Sequence, residues 1–166
     1  MTARDSESPP HLGILGWRVV RLIEAHSDQL ARSLMAKIET SGHCRHFLEK
    51  VPREELKERT YEIYHNLGEW LLKKTEHDVE RRYLTIGERR ASQGITLSQL
   101  LAAIMASKEH LWAYVAKEAL ADHPFELFQE IELFHLVEQF FDRAAYFAAI
   151  GYERYHAAKS KAAVAT

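Results

Sequence analysis

The side chains best suited to chemistry here are ten histidines, one cysteine and two cations set among apolar residues. His43 and His46 flank Cys44, residue types that bind a soft metal. A closed zinc site wants four ligands, and no second cluster is spaced to complete one, so an exposed polar loop is expected and no metal site is assigned. His26 falls between Ile23 and Leu30 on the apolar face of the first predicted helix, which points it inward. A lone inward imidazole is more often a hydrogen-bonded core residue than a ligand. His110 sits at the margin of an apolar stripe beside Ala103, Ala106 and Ser107, while His65 and His135 fall opposite the stripes of their helices and should be solvated.

Two cations stand out more than any histidine. Lys108 projects from an apolar stripe among Ile104, Leu111 and Trp112, and Arg90 continues the inward line Val79, Tyr83, Ile86. A buried cation is costly without a carboxylate, carbonyls, a bound anion or a path to water. Two outcomes fit, a structural ion pair or a role in holding a ligand. If the interior holds a small anionic or apolar ligand, the residues expected round it are Arg90, Lys108, Tyr83, Ile86, Trp70 and His26. Catalysis is not expected. The chain has no Gly-rich phosphate loop, G-x-S-x-G, H-E-x-x-H or C-x-x-C, and its acids lie mainly on outer faces or in first turns.

The elements that must position these residues are helices. With 46% hydrophobic and 28% charged residues, the 166-residue chain has the composition of one globular domain. Its 7 glycines and 4 prolines leave room for long uninterrupted elements. A net charge of −2 without a basic stripe argues against nucleic acid as a partner. No apolar run approaches the ~20 residues of a membrane span, and the N-terminus has no apolar signal core. One cysteine makes no internal disulfide. A cytoplasmic location is the default.

Apolar spacing predicts five helices in one all-α domain over 12–157, between a disordered leader at 1–11 and a frayed tail at 158–166. The first runs from Leu12 to Glu39 and stops at Thr40-Ser41-Gly42. A connection from Cys44 to Val51 carries one turn round Phe47 and Leu48. The second begins at Pro52, with Leu56, Ile63, Leu67, Trp70 and Leu71 inward. The third spans Glu76 to Gln93 and ends at Gly94; the fourth is capped by Thr96. His123-Pro124 breaks the chain before the fifth, Phe125 to His156. That last helix is apolar over an arc wider than the usual ~100° stripe. Either it lies centrally in its own chain, or it offers one flank to a second copy. In the second case Phe140, Phe141, Ala144, Phe147, Ala148 and Gly151 form a homodimer interface.

The run from Asp78 through Arg82, Ile86-Gly87-Glu-Arg-Arg90 and Gly94-Ile95 resembles the proximal region of globin-coupled sensors and protoglobins. Those families carry Arg…Ile-Gly-x-x-His…Gly-(Ile/Leu) there, which places Arg90 where the haem-binding histidine stands. A guanidinium stays protonated and offers iron no lone pair. With Pro52-Arg-Glu-Glu-Leu-Lys-Glu-Arg and Gly87 through Leu101, the chain from Leu12 to Tyr155 is similar to the N-terminal domain of RsbR-type stressosome co-antagonists, the RsbRD class above all. The resemblance implies a non-haem globin-like fold, a dimer, and a sensory or docking role towards a downstream signalling protein. It also implies continuation into an output module of STAS, kinase or other type, so the chain could act alone or as the sensory piece of something longer. Haem is not expected; were it to bind, His26 or His110 would be the axial ligand. Two other readings are a haem sensor with such a ligand and a purely structural helical adaptor.

Overall fold

A computed structural model describes residues 11–118 and 130–165. The described residues are all-α, with no strand: α1 (Ile14–Ala25), α2 (Ser27–Thr40), α3 (Phe47–Lys50), α4 (Arg53–His65), α5 (Leu67–Leu72), α6 (Glu76–Ser92), α7 (Leu97–Glu118) and α8 (Ile131–Val164). Leader residues 1–10 and the expected break at His123-Pro124, with the start of the fifth predicted helix, lie outside them.

Among the described residues eight helices stand where five were expected, because two predicted helices are interrupted and the turn at Phe47 is a short helix of its own. The first breaks at His26, with φ −107° and ψ 18°. There the side chains compete for the carbonyls that the helix ladder would use. His26 Nδ1 lies 2.9 Å from the Leu22 carbonyl, and Ser27 Oγ donates to that of Glu24. The break rotates His26 out to solvent and turns Ser27 inward, so the inward placement of His26 is corrected. The second predicted helix breaks at Asn66, whose side-chain amide donates to the Glu62 carbonyl. Glu24 of α1 then accepts from the Gly68 N–H at the start of α5, satisfying one of the donors that a helix start leaves free.

The remaining punctuation follows the sequence. Thr75 and Asp78 form a reciprocal cap at the start of α6, and Thr96 and Gln99 do the same before α7. Gly94 takes φ +78°, a left-handed conformation that glycine adopts without penalty, and closes α6. The C-terminal end differs from expectation: residues 158–164, expected to fray, continue α8 as exposed helix. Five alanines from Ala157 to Ala165 suit that, since alanine is the best helix former.

The most extensive pairing is α6 on α8. It is a backbone approach. A Cβ at Gly87 would stand 2.0 Å from the Ala148 carbonyl oxygen, and one at Gly151 would stand 2.2 Å from that of Leu84. The six residues nominated for a dimer interface are therefore spent inside the chain. Phe140, Phe141, Ala144, Phe147, Ala148 and Gly151 are all buried against its own helices, with Phe140 packed on both Trp70 and Tyr83. On the other side of the molecule α2 packs on α4, and α7 bridges to both α2 and α8.

Candidate functional site

Arg90 occupies the last turn of α6 and is 2% exposed. Its burial is made tolerable by partners from three directions. Nη1 donates to Glu55 Oε1 at 2.5 Å and to Gln93 Oε1 at 2.7 Å, and the guanidinium lies 5.7 Å from the centre of the Phe47 ring. Glu55, in the first turn of α4, also takes two hydrogen bonds from Arg89 at 2.7 Å and 2.8 Å. The Arg89 hydrogen bonds, with help from Arg90, pull the Glu55 carboxyl from an ordinary 4.5 to about 2. Burial acts oppositely on Arg90, lowering its pKa, although a guanidinium remains charged. The cluster clamps the end of α6 to the start of α4.

Beside this clamp lies a cavity of about 80 Å³ between α4, α6 and α7, lined also by Phe47 and Phe141. Tyr83, Ile86 and Arg90 line it, as expected of a pocket. The other three nominees do not. Trp70 packs on Phe140 and faces an outer groove; His26 is at the surface, 6.2 Å from the Tyr114 ring. Lys108 points along the α7–α8 edge instead of into the core, 2.7 Å from Glu138 Oε2 and 3.8 Å from Asp142. Trp112 donates to the other oxygen of Glu138 and stacks on Phe134 at 4.3 Å. The two cations singled out from sequence are thus both ion-paired, in separate places.

Sequence spacing missed Arg59, Thr60, Tyr64, Arg82 and Ser107, which also line the cavity. A weak signal existed, since Thr60 sits between Leu56 and Ile63 at helical steps and Arg59 flanks that stripe. The pairing of Arg90 with Glu55, 35 positions away, had no local signal.

His110 is buried where α7 crosses α2. Nε2 lies 2.6 Å from Ser33 Oγ, while Nδ1 is buried without a partner. Burial first, and the nearby Lys37 second, push its pKa down. It does not line the cavity. Among the described residues no three of His, Cys, Asp or Glu are placed to hold a metal ion, and Cys44 is buried while His43 and His46 are exposed. The fit for haem is poor on geometry. The cavity is about half the ~150 Å³ that takes a benzene ring, and Arg90 stands in it tied to Glu55. No described helix is long and apolar enough to cross a membrane.

No curated protein and no solved structure matches the chain. Residues 28–163 match the family described as the RsbT co-antagonist protein rsbRD N-terminal domain, a span that begins in α2 and takes in the Glu55–Arg90 clamp and the cavity. The chain belongs to that family of regulatory co-antagonist domains.

Proposed function

We propose that the domain is a sensory and docking module of globin-like, haem-free design, working as a homodimer and acting by binding rather than by catalysis. The observation that carries this reading is the Glu55–Arg89–Arg90 clamp. It sets a structural ion pair at Arg90, the position that the resemblance to globin-coupled sensors and protoglobins aligns with their haem-binding histidine. A protein built this way transmits a state through helix geometry, and its output goes to a downstream signalling protein. Regulatory family membership supports that role.

The dimer is assigned to the outer flanks of α7 and α8, since the inner flank of α8 is already covered. Met105, Phe134 and Tyr146 are 55%, 40% and 62% exposed there, beside the half-buried Leu101 and Trp112. Apolar side chains left at the surface of two adjoining helices suit a two-fold contact. Size-exclusion chromatography with light scattering at tens of micromolar tests it. The expected result is a dimer that Met105→Glu with Tyr146→Glu converts to monomer; a wild-type monomer would sink the dimeric reading.

A further inference from the structure

The cavity is not isolated. Arg59, Arg82 and Ile86 line both it and an outer groove of about 460 Å³ that runs between α4, α5 and α6. The two compartments differ in chemistry. Three of the four hydroxyl side chains lining the cavity are turned to backbone: Thr60 donates to Leu56, Tyr64 to Ser107 and Ser107 to Ala103, at 3.0, 2.8 and 2.9 Å. Apart from the Tyr83 phenol and the arginines, the wall is largely hydrocarbon, with Leu56, Ile63, Ile86, Leu100 and Phe141 in it.

The groove is cationic. Lys74 has Glu69 at 3.2 Å, Arg81 has Asp78 at 3.3 Å, and Arg89 has Glu55. Glu55 is shared between Arg89 and Arg90, and Glu62 likewise serves two guanidiniums. Glu62 is in hydrogen-bonding contact with Arg82 and stands 3.8 Å from Arg59. The Nε–H of Arg82 is buried with no acceptor. A buried donor without a partner is uncommon and marks a place for an acceptor that the chain does not supply. At the mouth of the apolar cavity Arg59 and Arg82 thus carry one positive charge more than Glu62 neutralises, and one N–H is unused.

We propose that cavity and groove form a single binding site for a small organic carboxylate with a short aliphatic tail. The tail enters the cavity, and the carboxylate lies at its mouth, accepting from Arg82 Nε and from the guanidinium of Arg59. One excess charge suits a monoanion, and the planar carboxylate matches the guanidinium fork. A cavity of about 80 Å³ limits the buried part to a few carbons, with any further length lying along the groove. Such a ligand adds to the ties that Glu55 and Glu62 make between α4 and α6. The inference names the ligand class of the sensory reading and rests on it only for what binding is used to signal.

The test is isothermal titration of the whole chain with butanoate, hexanoate and octanoate, alongside methyl hexanoate, acetate and inorganic phosphate. One of the three tailed acids should bind saturably at one per chain. The ester and Arg59→Gln should each weaken it by about tenfold or more, the loss of one charge-assisted hydrogen bond. Arg59 is 41% exposed along its side chain, so that variant keeps the fold, which a circular-dichroism melt verifies. Failure of every acid to bind overturns the proposal. So does equal affinity for the ester, which removes the anionic head, or for acetate or phosphate, which removes the tail. An unchanged affinity in Arg59→Gln overturns the placement. Oligomeric state is measured separately, so loss of the ligand class leaves the dimeric docking reading standing, and the reverse also holds.

Discussion

Helix α6 is held in opposite ways on its two sides. Towards α8 it is fixed by contact of backbone on backbone, with Gly87 and Gly151 each seated on a carbonyl of the other helix. Towards α4 it is held by carboxylate–guanidinium bridges, Glu55 to Arg89 and Arg90 and Glu62 to Arg82, round a cavity. Close packing answers to volume and hardly to solution conditions. Ion pairs beside a void answer to pH, salt and ligands. In the proposed sensory role, the α8 side of this helix is the rigid reference and the α4 side the adjustable one.

The largest expected effect breaks the rigid side. Gly87→Val puts a branched side chain where even a Cβ meets the Ala148 oxygen at 2.0 Å, so the helices must part. A loss of at least ~3 kcal/mol in urea unfolding is expected, from overpacking against backbone that cannot yield. At an exposed helical site, replacing glycine instead gains up to about 1 kcal/mol, so the sign alone separates the two accounts.

On the other side, Glu55→Gln removes the charge that balances buried Arg90 and should cost about 2 kcal/mol. Breaking a fully buried pair costs ~3–5 kcal/mol, but the amide keeps an acceptor and Gln93 remains. The same carboxylate sets an acid limb. With its pKa depressed from 4.5 to about 2, its contribution is complete above pH 4.5 and is lost as pH falls towards 2. A urea midpoint that falls as steeply over that window in Glu55→Gln would assign the acid limb elsewhere.

A smaller effect belongs to His110, where α7 meets α2. Its pKa is depressed by burial, so the unfolded chain binds the proton more readily than the folded one. Stability is then complete above about pH 6.5 and declines as pH falls from there towards the folded value. Thermal melts of His110→Gln between pH 7 and 5 should be flatter than wild type; parallel curves would show that this imidazole carries none of the dependence. Smallest is Lys108→Met. Its pair with half-exposed Glu138 contributes within about 1 kcal/mol, so a melt shifted well beyond that would mean Lys108 is more than an edge contact.

How far these two sides were legible in the sequence follows from the range of the forces involved. The caps at Thr75 and Thr96, the stop at Gly94 and the inward stripes of α4, α6 and α7 are local and readable. The breaks at His26 and Asn66 are local too, but they turn on side chains bonding carbonyls three or four residues back, which apolar periodicity passes over. Ala144, Ala148 and Gly151 read as part of a flank for a second copy, but all three are buried in the same chain, Ala148 and Gly151 against α6. Arg90 and Lys108 read correctly as cations in need of partners. Which partners, and that only Arg90 faces the cavity, depended on how α4 and α8 pack against them.

The proposed role of Arg90, structural in a haem-free cleft, is tested most directly by a hemin titration of the purified wild-type chain, followed at the Soret band. The expected result is no copurifying band and no saturable shift, since the Glu55–Arg90 clamp leaves neither the space nor an axial ligand. A strong Soret band saturating at one haem per chain would contradict it, and would require the α4–α6 cleft to open and recruit a ligand from elsewhere in the fold.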